Sequence, residues 1–250
     1  MSYTNLLQET FTVTNIVATF SLNPQSTFFF SPQRYSWIAQ NCINTEFRPE
    51  KFHSIIMRWR ESTDFVTGAL ATAVGSRLAS TSTITATIFR NGKVVMCGTR
   101  CIKHARKMSL KVCRRVQYAV DQGARLADRV VVNSRYQRLH VHKFRIRNCV
   151  GAFTYHQPIN IERLFIDYRS TCSPFSRPRL DFDVFPGFRS SLDISHPLLL
   201  PFFGDICIQS AKRNISVTIF KSGKIIITGA KHPSEIDAVG NFLAHFLGNF

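Results

Sequence analysis

Residues 86 to 100 read ATIFRNGKVVMCGTR, two apolar arms broken by Asn-Gly, and residues 217 to 231 repeat the pattern as VTIFKSGKIIITGAK. Side chains alternate across a strand. One face of the first copy therefore carries Thr87, Phe89, Val95 and Cys97, and the other Ala86, Ile88, Val94 and Met96. Both faces are apolar or nearly so. A hairpin of this kind is buried on both sides or uses one apolar face to bind something. Val, Ile, Thr and Phe on the flanks favour strands. Asn91-Gly92 and Ser222-Gly223 predict two-residue turns, because turns that suit strand twist need positive φ. Thr87/Thr218, Ile88/Ile219, Phe89/Phe220, Gly92/Gly223, Lys93/Lys224 and Gly98/Gly229 are identical between the copies, 131 residues apart.

The same pattern reading fills in the rest of the chain. Residues 12–20 (TVTNIVATF) form a strand with Asn15, Val17 and Thr19 on one face and Ile16, Ala18 and Phe20 on the other. Ser31-Pro32 opens a helix, with Ser as N-cap and Pro at the first position. Tyr35, Ile38, Ala39 and Cys42 follow at helical spacing. Residues 45–60 give two strands with Phe52 at the tip of their connection. Residues 101–120 give an amphipathic helix whose stripe is Ile102, Ala105, Leu110, Val112, Cys113, Val116 and Ala119 or Val120. In the second half come a strand at 143–152, a helix near 159–168, the hairpin at 214–229 and a helix near 233–247. That last helix carries Ile236, Val239, Phe242, Leu243, Phe246 and Leu247 as its stripe.

The repeat is wider than the hairpin. NIVATF at 15–20 returns as NCVGAF at 148–153, and Phe52 returns as Phe185, each 133 residues along. Landmarks in one order at nearly constant spacing indicate an internal duplication. The expected organisation is a first repeat at 12–121, a connecting segment at 122–142 and a second repeat at 143–250. Insertions about 62–82 and 192–213 fall at equivalent places.

Charge adds a class of partner. Lys plus Arg number 32 against 15 Asp plus Glu, a net +17, which favours polyanions such as nucleic acid or an anionic membrane surface. The longest apolar stretch, near LLLPFF, is too short to span a bilayer, and no signal peptide opens the chain. The seven dispersed cysteines suggest reduced thiols inside a cell. Cys97, Cys101 and His104 have no second ligand pair at metal-site spacing. No phosphate-binding Gly loop, nucleophile elbow or paired-carboxylate motif is present. No metal, cofactor or catalytic residue is therefore expected.

The motifs TNIVATF, RPEKFHSIIMRWRE, TIFRNGKVVMCGTR, FRIRNCVG, VFPG and TIFKSGKIIITGAK resemble the core of the TATA-binding protein (TBP) family, an imperfect direct repeat, over about residues 12–247. The resemblance implies an α+β, TBP-like saddle: two pseudo-symmetric repeats forming a curved antiparallel sheet of about ten strands, with helices on the convex side. It implies binding and bending of A·T-rich promoter DNA through the minor groove. Phe52 with Phe89, and Phe185 with Phe220, match the family's wedges, which unstack base steps. Asn15 and Asn148 match its base-contacting Asn pair. Val17, Val95, Val150 and Ile226 match its apolar groove contacts, and Thr228 a base-contacting Thr. Cys97 stands where Thr is usual. Arg58, Lys93, Arg100, Lys224 and Lys231 match or neighbour its phosphate contacts.

The partner surfaces carry over as well. Asp181 and Asp183 match acidic residues that meet transcription factor IIB. The basic face Lys103, Arg106, Lys107, Lys111, Arg114 and Arg115 matches a helix that meets transcription factor IIA or other regulators. RNA polymerase would be engaged indirectly. Thr87 and Thr218 replace a groove-contacting Leu, and Ser191 an Arg, although Arg189 is nearby. These departures set up an alternative: a TBP-like scaffold without specific TATA binding, acting through proteins. A third reading, an enzyme with a TBP-like accessory module, finds no motif in support. The divergence suits a protist or a large DNA virus. The expected location is intracellular: the nucleus, or a cytoplasmic viral factory or virion.

Overall fold

The computed structural model describes residues 11–23, 30–62, 81–127, 138–167, 173–204 and 213–248. These form ten antiparallel strands and five helices, an α+β arrangement. Contacts divide the chain into two compact units, 16–146 and 1–15 with 147–250. The expected insertion about 62–82 lies almost wholly outside the described residues, as do 128–137 of the expected connecting segment.

In the 16–146 unit the strands are β1 (Thr12–Ser21, shared with the other unit), β2 (Thr45–Arg48), β3 (Phe52–Ser62), β4 (Thr81–Phe89) and β5 (Lys93–Thr99), ordered β2-β3-β4-β5-β1. The alternation read from sequence is the alternation of burial. Ile16, Ala18, Ala86, Ile88, Val94 and Met96 are fully buried, whereas Val17, Thr87, Phe89 and Cys97 are half-buried and Val95 is open. The buried face is covered by α1 (Pro32–Asn41) and α2 (Ile102–Ala127). Ser31 caps α1 by accepting the Arg34 N–H at 3.3 Å. Tyr35 of α1 donates to the Ile88 carbonyl at 2.6 Å and accepts the Ile55 N–H at 3.0 Å, tying β3 to β4.

Two expectations need correction. The hairpin loop is three residues, not two. The Phe89 carbonyl accepts the Gly92 N–H at 2.9 Å, and only Gly92 of the loop has positive φ, 74°. This is a turn closed by a left-handed glycine, so Asn91 needs no strained backbone. The second hairpin repeats it with Gly223 at φ 85°. Helix α2 runs on through Ala127, past the expected end at 120, and Leu110 is half-exposed at 50%. Leu110, two residues before Val112, lies on the opposite side of the helix. Met108 takes the buried position instead. Cys101 opens α2, its sulfur accepting the His104 N–H at 3.4 Å.

The second unit repeats the plan. Its strands are β6 (His142–Thr154, shared at its start), β7 (Phe175–Asp181), β8 (Phe185–Asp193), β9 (Asn214–Phe220) and β10 (Lys224–Ala230), ordered β6-β10-β9-β8-β7. Its helices are α3 (Ile161–Asp167), α4 (Leu200–Phe203) and α5 (Pro233–Leu247). Helix α5 buries Ile236, Val239, Phe242, Leu243 and Leu247. The stretch expected as a second insertion is partly core. β8 extends to Asp193, Ile194, Leu199 and Phe203 are buried, and Phe202 stacks edge-on 5.7 Å from Phe242. Residues 205–212 lie outside the described residues.

Candidate nucleic-acid interface

Each unit leaves the sheet face opposite its buried core open, and the register arranges that face in rows. In the 16–146 unit, Phe52 starts β3 and Phe89 ends β4, with ring centroids 6.5 Å apart, edge to face. Phe52 is 48% exposed. Ser54 sits opposite Phe89, buried, and its hydroxyl has no hydrogen-bond partner among the described residues. The next row places Ile56, Thr87, Val95 and Thr19 side by side. The row after that holds Arg58, Thr85 and Cys97. Asn15 and Val17 lie half-buried along β1. Lys93 and Arg100 are exposed at the two ends of β5. Arg58 is engaged with Glu46 at 2.8 Å, and Arg48 reaches the same carboxylate at 3.1 Å. The Arg58 hydrogen bond, with the Arg48 charge beside it, holds Glu46 below its ordinary pKa.

In the other unit, Phe185 starts β8 and Phe220 ends β9, with centroids 5.7 Å apart. Gly187 lies opposite Phe220. A Cβ there would come within 2.8 Å of the Phe185 ring and 3.2 Å of the Phe220 ring, so only glycine lets the two rings approach this closely. The Arg189 guanidinium stacks 4.6 Å over Phe185. Arg189, Thr218 and Ile226 form the next row, and Ser191, Ser216, Thr228 and Val150 the one after. Asn148 accepts the Gly229 N–H through Oδ1 at 2.8 Å. That bond fixes the orientation of the amide. The Lys231 ammonium donates to the Arg147 carbonyl, and Lys224 is exposed at the start of β10.

Most of the site residues read from sequence therefore fall on, or at the ends of, two open faces of the same design, one in each unit. Sequence reading missed the residues beneath and beside the Phe pairs, Ser54, Gly187 and Ile56, and gave Arg189 no role. The 133-residue offset was the available signal, since it maps Ser54 onto Gly187 and Ile56 onto Arg189.

Away from these faces, Asp181 and Asp183 are exposed at the β7–β8 turn, where Asp181 Oδ1 accepts the Asp183 N–H at 3.1 Å. Lys103, Arg106, Lys107, Arg114 and Arg115 are exposed along α2 and Lys111 is half-buried. The Arg106 guanidinium covers the Phe144 ring at 5.1 Å. Among the described residues no three His, Cys, Asp or Glu side chains gather as a metal set. No described helix is long and apolar enough to cross a membrane.

The sequence model of the family described as "Transcription factor TFIID (or TATA-binding protein, TBP)" matches residues 10–119 and 202–250. The chain belongs to the TATA-binding protein family. The chain is 28% identical over 199 residues to TATA box-binding protein-like 2 of Mus musculus, covering 80% of this chain and 40% of that protein. It is 26% identical over 225 residues to the TATA-box-binding protein of Saccharomyces cerevisiae, covering 90% of this chain and 66% of the yeast protein. The chain thus spans about two fifths of the length of the first of these relatives. Among solved structures, Methanococcus jannaschii TBP matches with a TM-score of 0.57 at 17% identity, over 96% of this chain and 99% of that one. That likeness shows a TBP-like fold. Asn148, Val150 and Phe185 lie between the two stretches that the family model matches, so their equivalence to first-repeat residues comes from the internal repeat.

Proposed function

We propose that this TBP-family chain is a transcription initiation factor that binds duplex DNA through the minor groove, bends it and presents it to further initiation proteins. The observation that carries the reading is the repeated Phe pair, Phe52 with Phe89 and Phe185 with Phe220, held at strand ends on an open face. Aromatic rings offered this way can enter a base step. Unstacking a step costs a few kcal/mol and is offset by the extra surface that a bent duplex wraps. Val17, Val95, Val150 and Ile226 supply apolar floor beside them. Because Asn148 Oδ1 is taken by Gly229, its amide N–H groups are left to donate, and the minor groove of A·T pairs offers only acceptors. Arg58, Lys93, Arg100, Lys224 and Lys231 would meet phosphates.

The exposed Asp181 and Asp183 suit a transcription factor IIB-like partner, and the basic outer face of α2 a transcription factor IIA-like one or another regulator. RNA polymerase would be engaged through them, in the nucleus or, for a viral chain, in a cytoplasmic factory.

Thr87 and Thr218, with Ser191 and Ser216 in the next row of the second unit, place hydroxyls among these apolar contacts and favour the competing scaffold reading. The discriminating measurement is bending of a doubly labelled A·T-rich duplex by energy transfer. The unmodified protein should bend it, and the Phe89→Ala/Phe220→Ala variant should lose the bend. Unchanged bending by that folded variant would sink the wedge assignment. Absence of bending by the unmodified protein would favour the scaffold.

A further inference from the structure

We propose that the open face of the 147–250 unit accepts G·C base pairs in the minor groove, because hydroxyl groups line its floor. The inference rests on the minor-groove reading above and names the sequence class that reading would take. Ser191, Ser216 and Thr228 are cross-strand neighbours on β8, β9 and β10, and Thr218 lies one row nearer the Phe pair, between Arg189 and Ile226. All four share the face that carries Phe185 and Phe220. Ser216 is exposed and the other three are half-buried. Among the described residues, none of these four side chains makes a hydrogen bond; the bonds near them use the Ser191 carbonyl and the Ser190 hydroxyl.

The chemistry follows from what the groove displays. A·T pairs present acceptors there, and a G·C pair adds one donor, the guanine amino group. An apolar floor cannot accept that donor, and burying it unpaired costs free energy. A hydroxyl rotates freely and carries one donor and two acceptor sites. It donates to the adenine or thymine acceptors, or accepts from the guanine amino group, with little difference in cost. The floor therefore loses the means of rejecting guanine.

The corresponding rows of the 16–146 unit hold Ile56, Thr87 and Val95, then Arg58, Thr85 and Cys97. Those rows carry two hydroxyls, Thr87 and Thr85, against the four named here, and have a thiol in place of Thr228. Guanine tolerance should therefore be confined to one half of the bound site.

The test uses the full chain and an A·T-rich duplex whose pairs are replaced one at a time by G·C or by I·C, since inosine lacks the amino group. Over one half of the site, G·C should bind within about threefold of A·T. Over the other half it should bind about tenfold or more weakly, with I·C restoring affinity. The Ser191→Ala/Ser216→Val/Thr218→Leu variant should gain about tenfold discrimination against G·C, but not I·C, in the tolerant half. Thr218→Leu alone, checked for folding by circular dichroism, gives a milder form of the same test. Discrimination of tenfold against G·C at every position, relieved by I·C, overturns the proposal and leaves the minor-groove reading standing. Tolerance that neither variant alters overturns the hydroxyl origin. Failure to bend any duplex, the A·T-rich one included, overturns the minor-groove reading and this proposal with it.

Discussion

Ser54 and Gly187 stand at one place in the two repeats, and each decides how its Phe pair sits. Gly187 lets Phe185 and Phe220 close to 5.7 Å, whereas Ser54 occupies the space in the first unit and the rings stand 6.5 Å apart. Gly187→Val should push the second pair out of place. The expected outcome is loss of bending in the energy-transfer assay while the melting temperature shifts only a few degrees. Ser54 has a buried hydroxyl with no partner among the described residues. Removing an unsatisfied polar atom is neutral to stabilising, so Ser54→Ala should raise unfolding free energy by up to about 1 kcal/mol, measured by urea titration. The buried thiols give a pH dependence. Burial pushes Cys42 and Cys149 from an ordinary value of 9.0 up to about 11. A raised folded pKa means that the folded state holds the proton longer than the unfolded state. Stability from these thiols is thus complete below pH 9 and is lost as the pH rises toward 11. Urea midpoints at pH 8 and 10.5 should show the loss, and a Cys42→Ala/Cys149→Ala variant should show less of it.

The hairpins and helix starts carry predictions at the scale of the element. Gly98 and Gly229 both have φ +100°, at equivalent bulges in β5 and β10. Their surroundings differ. A Cβ on Gly98 would meet the Thr83 carbonyl at 2.2 Å, whereas on Gly229 the nearest atom is 3.5 Å away. Gly229→Ala should cost only the backbone strain, on the order of 1–3 kcal/mol. Gly98→Ala should cost distinctly more, because strand β4 must move as well; thermal melts of the pair measure the gap. Helix α5 is anchored by Glu235, which accepts the Lys231 N–H at 2.8 Å and pairs with Arg213 in a largely buried site. Glu235→Ala leaves that Arg213 charge unpaired and should cost about 3 kcal/mol. Among the described residues the first turn of α2 carries no acidic side chain, and a cysteine caps it where His232 caps α5 by accepting the Ser234 N–H.

At the scale of the whole molecule, the net charge of +17 sets a salt dependence rather than a specificity. Lys224→Gln should weaken binding to all duplexes alike and lower the slope of log affinity against log salt by about 1. Arg58→Gln should lower it less, because Glu46 already neutralises part of that charge. Binding measured across a salt series on one A·T-rich duplex separates the two.

The sequence by itself determined the repeat, the strand faces and the final helix. Alternation with period two, and helical spacing in Ile236, Val239, Phe242 and Leu243, are local consequences of backbone geometry, so residues near in the chain suffice to show them. It also marked the four Phe, because the motif recurs. Tertiary structure alone decided what surrounds them. Gly187 beneath one pair, Arg189 stacked on Phe185, Glu46 on Arg58 and the neighbouring hydroxyls of Ser191, Ser216 and Thr228 all depend on cross-strand register. So did the fate of the second insertion, part of which packs Phe202 on α5. Register is set by turns and by which face is buried, and it brings together residues too far apart in the chain for any local pattern to show.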